Sequence, residues 1–241
     1  MLPRAQIKRL AKERFTARYG RTLGGVLAAG ALIYFASPFI VLSPVLMVGL
    51  SLFALATYTG REDCQAGMIF DGFEHFGRNL GSMLLQGLFI LCAYLSGLLV
   101  AMLVGIIFGI AMGISAATGG GTMATSAIFS VFLGLIALAI LVLIAVVYYI
   151  LSMTRFILAE SHQIKAFDAL KLSARITKGH RADIFVFDLS FLGWMLLGVL
   201  TLGILNILYV IPYMTTAQAG LYTELKREAI AMYKVKEEEF N

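Results

Sequence analysis

The placement of charge constrains this chain more than any other property. No Asp, Glu, Lys or Arg occurs from Thr22 to Gly60, or from Asn79 to Thr154. From Ile184 to Thr223 the only such residue is Asp188. About 20 consecutive apolar residues cross a bilayer core, so each stretch has length for more than one crossing. Composition agrees: 14% of residues are charged and the mean hydropathy is +0.88, against roughly a quarter charged in soluble domains. In hydrocarbon every backbone polar group must be satisfied internally, and the long runs lack the alternation of barrel strands. The expected fold class is therefore all-α. It is a polytopic transmembrane helical bundle of about six spans with amphipathic cytoplasmic helices, one integral membrane domain over residues 1–241.

Breakers divide the runs. Ser37-Pro38 and Ser43-Pro44 split 22–60 into a helical hairpin, with a pair of half-inserted helices as the alternative. "TGGGT", Thr118 to Thr122, splits 80–154 into two long spans, because three glycines cost a helix roughly 3 kcal/mol relative to alanine. "LTLGI", Leu200 to Ile204, splits 184–223 into two further spans, the second kinked by Pro212. Gly203 marks the tight turn, while Gly193 and Gly198 permit close helix contact.

Lys and Arg fix the orientation. Seven lie in the tail to Arg21, two in 61–78, six in 155–181 and four in the charged tail 224–241. With six spans all of these segments share one side, and the opposite loops carry none. The pattern places both termini on the cytoplasmic side of the membrane, in a multi-pass topology. The first apolar run follows a basic segment and passes any small-residue cleavage site, so it is expected to remain as an anchor.

Two cytoplasmic segments read as interfacial helices. In 1–21, Ile7, Ala11, Phe15 and Tyr19 recur at i+4 steps among six basic residues. In 160–179, Ile164, Phe167, Leu170 and Ala174 share a face, with Lys171, Arg175 and Lys178 beside it, ending at Gly179. Both are expected to touch membrane lipids, with basic residues on anionic headgroups; a protein partner is the alternative. Phe70, Phe73 and Phe76 repeat every third residue, as in a short helix packed on the bundle floor. Nucleic acid is not expected as a partner, because basic excess here follows topology.

The last third, "AFDALKLSARITKGHRADIFVFDLSFLGWMLLGVLTLGILNILYVIPYMTTAQAGLYTEL", resembles the C-terminal block of the bacterial integral membrane proteins grouped as domain-of-unknown-function 975. The matching positions are Ser173, Gly179, Phe187, Ser190, Phe191, Gly193, Trp194, Thr201, Gly203, Ile204, Pro212, Tyr213, Tyr222 and Leu225. The basic N-terminal helix and Phe70-x-Gly-Phe73 also fit. The family's middle spans commonly carry Pro-Gly-Ile-Ile. This chain has "YYILSMTRFILAE" instead, which argues against a broken helix there. The resemblance implies kinship with the membrane domain of some glycerophosphodiester phosphodiesterases and implies no agreed activity.

Candidate chemistry is sparse. Asp188 sits just inside the cytoplasmic boundary, where an acid reads as a structural acceptor from Ser190, Arg155 or a loop backbone, as a polar-ligand or ion site, or as a protonation site. Asn206, Tyr213 and other polar residues of the last span hydrogen-bond across helices or, if they converge on Asp188, line a path. Pro212 frees the Leu208 carbonyl, for which Asn206 or Thr216 is a candidate donor. Gly105, Gly109 and Gly113 form a double G-x-x-x-G for packing within the chain or against a second copy or another membrane protein. Cys64 and Cys92 have no disulfide or metal spacing. No catalytic motif, metal set or cofactor loop occurs, so no catalytic residue, metal or cofactor is assigned. The expectation is a non-enzymatic inner-membrane protein that accommodates or moves a lipid or hydrophobic peptide, or supports envelope function. The alternative is a membrane scaffold or regulatory subunit that binds a protein partner.

Overall fold

The computed structural model describes residues 3–36, 42–61, 64–118, 122–161 and 163–240. Among these every regular element is helical. Four stretches are long and apolar enough to cross a membrane: Leu42–Thr59, Phe76–Ala117, Ala127–Glu160 and Arg181–Leu200. The chain divides into two units, 1–85 with 149–241, and 86–148.

In the first unit, α1 (Arg4–Ala17), α2 (Tyr19–Ala36) and α3 (Leu42–Thr59) precede a 3-10 helix, Ala66–Phe73. The period of three in the phenylalanines is that of a 3-10 helix. Phe70 stacks on Phe73 at 6.4 Å and Phe73 on Phe76 at 6.2 Å. This turn lies against α3 backbone to backbone. A Cβ on Gly49 would sit 1.9 Å from the Ile69 carbonyl oxygen, and one on Gly72 would sit 2.4 Å from that of Val45. Of the hairpin turn expected over residues 38–43, residues 38–41 lie outside the described residues, while Leu42 and Ser43 already belong to α3.

The return half holds α6 (Thr154–Glu160), α7 (Ala166–Ile176), α8 (Arg181–Leu189), α9 (Leu192–Leu200) and α10 (Ile211–Ala231). Helix α10 packs against α1, α3 and α7, and its Ala217, Ala219 and Leu221 are fully buried. Gly203 turns the chain between α9 and the last segment at φ 84°, preceded by Leu202 at φ 53°. Gly179 ends the 160–179 segment at φ 95°.

The structure departs from the sequence reading in several places. The helix does break near "YYILSMTRFILAE": α5 (Thr122–Leu151) stops and α6 begins at Thr154, without a Pro-Gly element. The span expected over 184–200 is also interrupted, at Ser190 and Phe191. There the Phe191 N–H bonds the Asp188 carbonyl three residues back, a local tightening. The apolar stripe of α1 does not face lipid: Ile7, Ala11 and Phe15 have no exposure and join the protein core. In α7, Ala169, Leu172 and Ile176 are buried likewise, while Phe167 is exposed. Nor is 224–241 a free tail, since α10 continues to Ala231 and Val235 and Phe240 are buried.

The second unit comprises the rest of α4 (Phe76–Ala117) and most of α5. Helix α4 has 42 residues, about 63 Å at 1.5 Å per residue and roughly twice a bilayer core. Its one intimate glycine contact is at Gly97, where a Cβ would meet Ile140 Cγ1 at 2.6 Å. Phe108 stacks on Phe129 at 4.7 Å. Gly105, Gly109 and Gly113 have no atom within 4 Å of a built Cβ among the described residues. Gly193 is open in the same way. The break expected at Gly119–Gly121 lies outside the described residues.

The glycine contacts separate two substitutions. Gly49→Ala should force the 3-10 helix off α3 and cost about 1–3 kcal/mol. Gly109→Ala should cost nothing and gain up to about 1 kcal/mol of helix propensity. Thermal melting of the two variants in detergent checks this; equal melting temperatures would refute the contact at Gly49.

Candidate functional site

The polar groups carried by the apolar helices of the first unit gather on one side of α10. Gln218, on the third turn of α10, stands between two charges. Its Oε1 accepts a hydrogen bond from Arg155 Nη2 at 2.6 Å, and its Nε2 donates to Asp188 Oδ1 at 3.2 Å. Arg155 comes from α6 and Asp188 from α8, so one amide links three helices. The two charges the sequence placed near each other are thus joined through an intermediary. Asp188 does not use Ser190 as its donor.

Ser190 and Tyr213 instead meet at Lys8 of α1. The Lys8 ammonium donates to Ser190 Oγ, whose hydroxyl donates to the Phe187 carbonyl. The Tyr213 hydroxyl donates to the Lys8 carbonyl at 3.2 Å. The Lys8 ammonium also lies over the Phe191 ring, 4.0 Å from its centroid, and burial pushes it below the ordinary lysine range. One turn earlier on the same edge of α1, Arg4 pairs with Asp183 of α8. Aromatic rings continue the wall: Tyr213 packs on Phe191 at 5.3 Å and on Tyr209 at 5.8 Å.

Asn206 lies apart from this group. Its Nδ2 donates to the Met195 carbonyl at 3.3 Å, and a Cβ on Gly198 would meet its Oδ1 at 1.8 Å. Gly198 therefore allows the close contact expected of it, with a side chain as the neighbour. Among the described residues Asn206 Oδ1 has no hydrogen-bond partner. Pro212 is preceded by a π-helical turn, Asn206–Val210, and the Leu208 carbonyl four residues back accepts from the Tyr19 hydroxyl at 3.2 Å. Neither Asn206 nor Thr216 supplies that donor; the Thr216 hydroxyl bonds the Pro212 carbonyl.

Gln218 and Lys8 are the residues of this polar cluster that the sequence underweighted. Gln218 was one of several polar residues on the last span. Lys8 follows Ile7 directly and so flanks the apolar stripe, a position that signals an inward-reaching cation once the stripe is known to be buried. Arg175, read as part of a basic face toward lipid, pairs with Glu239 and holds that carboxyl below its ordinary range. Cys64 is buried and shares a contact with Thr57 Oγ1 at 3.5 Å, whereas Cys92 is exposed; both are free. Among the described residues no three His, Cys, Asp or Glu side chains are placed to hold one metal ion.

An all-helical chain with four bilayer-length apolar stretches, and charges joined across helices at their ends, is the class that these features define. The family described as "Protein of unknown function (DUF975)" matches residues 1–229, and the chain belongs to that family. No curated protein and no solved structure matches it.

Two measurements check the site. Asp188→Asn keeps a carbonyl acceptor for Gln218 and should melt close to wild type. Asp188→Leu leaves the Gln218 amide without its acceptor and should cost about 1–3 kcal/mol. Equal melting of the two would show that the hydrogen bond contributes nothing. The Arg175–Glu239 pair predicts a pH dependence. Because the folded value of Glu239 is lowered, the pair steadies the docked C-terminal turn at neutral pH, and this is lost as the pH falls through that value. The exposed setting makes the effect small. Limited proteolysis of the C-terminal segment should accelerate on acidification in wild type, and Arg175→Gln should remove that dependence.

Proposed function

We propose that this is a non-enzymatic multi-pass protein of the bacterial plasma membrane, with six spans and cytoplasmic termini, that accommodates or moves a lipid or hydrophobic peptide in support of envelope function. The observation that carries the membrane reading is the exposure of its apolar helices. Only 6% of the apolar window in Phe76–Ala117 and none of that in Ala127–Glu160 is buried, so lipid has to cover what protein does not. Helix α2 and the segment after Gly203 are the two additional spans. Helix α2 has 18 residues, about 27 Å, close to a bilayer core. Exposed apolar helices joined to basic segments favour an amphiphile as cargo, since the pair suits an apolar body with an anionic head. Kinship to the membrane domain of glycerophosphodiester phosphodiesterases, which the resemblance implies, fits the same reading.

A scaffold role is the second reading. The open Gly105, Gly109 and Gly113 stripe favours it, because such a stripe suits a second copy or another membrane helix. The basic α1 and α7 segments are proposed to meet anionic headgroups through their exposed lysines, such as Lys12 and Lys171, and no longer through their apolar faces. Native mass spectrometry after gentle extraction separates the readings. Retained lipid is expected; a stoichiometric protein partner without lipid would replace the first reading with the second.

Topology gives an independent check. In a Cys92→Ser background, Thr118→Cys should react with an impermeant thiol reagent in intact cells, and Lys236→Cys should not. Labelling at position 236 would overturn the six-span arrangement.

A further inference from the structure

A cavity of about 220 Å³ lies among α3, α6 and α10, and its lining includes Leu52 and Leu55 together with Arg61, Glu160, Tyr222 and Lys226. Two bilayer-length stretches, Leu42–Thr59 and Ala127–Glu160, end at residues that line it. The cavity therefore sits at the level where hydrocarbon gives way to headgroups.

Its hydrogen-bond inventory is unbalanced. The Glu160 carboxylate is served on both oxygens, by the Tyr222 hydroxyl at 2.7 Å and by Lys226 Nζ at 2.7 Å. Lys226 has three donors and spends one there, with the Phe240 ring 4.1 Å away. Arg61 carries five donors, and among the described residues no hydrogen bond or ion pair uses its guanidinium. Helix C-termini attract cations, which would be an ordinary reason for basic residues at the ends of α3 and α6. That role is already filled. Arg18 donates to the carbonyls of Gly60 and Arg61 at the end of α3. Arg78 donates to the carbonyls of Leu158 and Ser161, at 2.9 Å and 2.6 Å, at the end of α6. Among the described residues Arg61, which is exposed, and Lys226 are thus a surplus of donors and of positive charge at a half-apolar cavity.

The geometry points to a phosphate-binding cavity. It takes the phosphate of an anionic amphiphile, with Arg61 and Lys226 as donors and the two leucines against the first carbons, or the same group on a soluble phosphate ester. The volume lies below the roughly 300–1,000 Å³ of sites for drug-sized ligands, which suits a headgroup and excludes a whole lipid. The lipid source rests on the amphiphile reading above; the cavity's chemistry does not.

The test titrates the full chain in mild detergent with phosphatidylglycerol, phosphatidylcholine and glycerol 3-phosphate, read by native mass spectrometry. Wild type is compared with Arg61→Gln and with Lys236→Gln, which removes the same charge from an exposed position in the C-terminal segment. Phosphatidylglycerol should bind Arg61→Gln about tenfold more weakly than wild type, the ratio expected for one charge-assisted hydrogen bond, and Lys236→Gln should match wild type. Competition by equimolar glycerol 3-phosphate would assign the site to a soluble ester, and its absence to a lipid headgroup. If the two variants bind alike, whether both unchanged or both weakened, the cavity assignment fails while lipid binding by the wild type keeps the amphiphile reading. A wild type that binds none of the three ligands overturns both.

Discussion

The first unit depends on how closely helices approach α10. Small residues make that approach: Ala217 and Ala219 have no exposure, and a Cβ on Gly220 would meet the Tyr58 ring at 2.5 Å. Between apolar helices in lipid there is no hydrophobic gain from association, so close packing and hydrogen bonds across helices have to hold them. The N-terminal helix uses both. Ile7, Ala11 and Phe15 fill the groove, and Arg4 and Lys8 reach from one edge to Asp183 and Ser190. A segment that looks like a surface anchor is therefore part of the core.

The same demand for internal satisfaction explains the arginines. A helix that stops leaves carbonyls without intrahelical partners, and near hydrocarbon water is scarce. The end of α3 is answered by Arg18, 42 residues away in sequence from Gly60, and the end of α6 by Arg78, 80 residues from Leu158. Each uses a forked guanidinium to serve two carbonyls, which a lysine could not do with the same geometry. Positive charge at the ends of these helices caps backbone.

Sequence reading recovered the features that follow from one-dimensional spacing. The helical class, the turn at Gly203 and the three-residue phenylalanine repeat all rest on local backbone rules, whereas the helix expected over 160–179 covers only Ala166–Ile176. It failed where two segments had to be brought together. An amphipathic stripe looks identical whether lipid or α10 covers it, so Ile7, Ala11 and Phe15 could not reveal their partner. A G-x-x-x-G stripe states only that close approach is permitted. Among the described residues nothing packs on Gly105, Gly109 and Gly113, while the unremarked Gly49, Gly72 and Gly97 touch backbone or a β-branched side chain. The interruption at Ser190 had no proline or glycine to announce it. It follows from tertiary pull, with Phe191 buried beneath the Lys8 ammonium.

The linkage of Asp188 to Arg155 through Gln218 has a consequence for the amide itself. An isolated glutamine can exchange its oxygen and nitrogen at little cost, because the two ends have nearly the same shape. Here the oxygen faces a guanidinium and the nitrogen a carboxylate. Exchanging them would set donor against donor on one side and acceptor against acceptor on the other, so the flanking charges select one orientation. A direct Arg155–Asp188 pair would also neutralise both groups, but it would draw α6 and α8 together and leave α10 out. With the amide between them, the hydrogen bonds between Gln218 and both charges form only when all three helices are in place. This ties those hydrogen bonds to assembly of the bundle, in a region where an unpaired ion is costly.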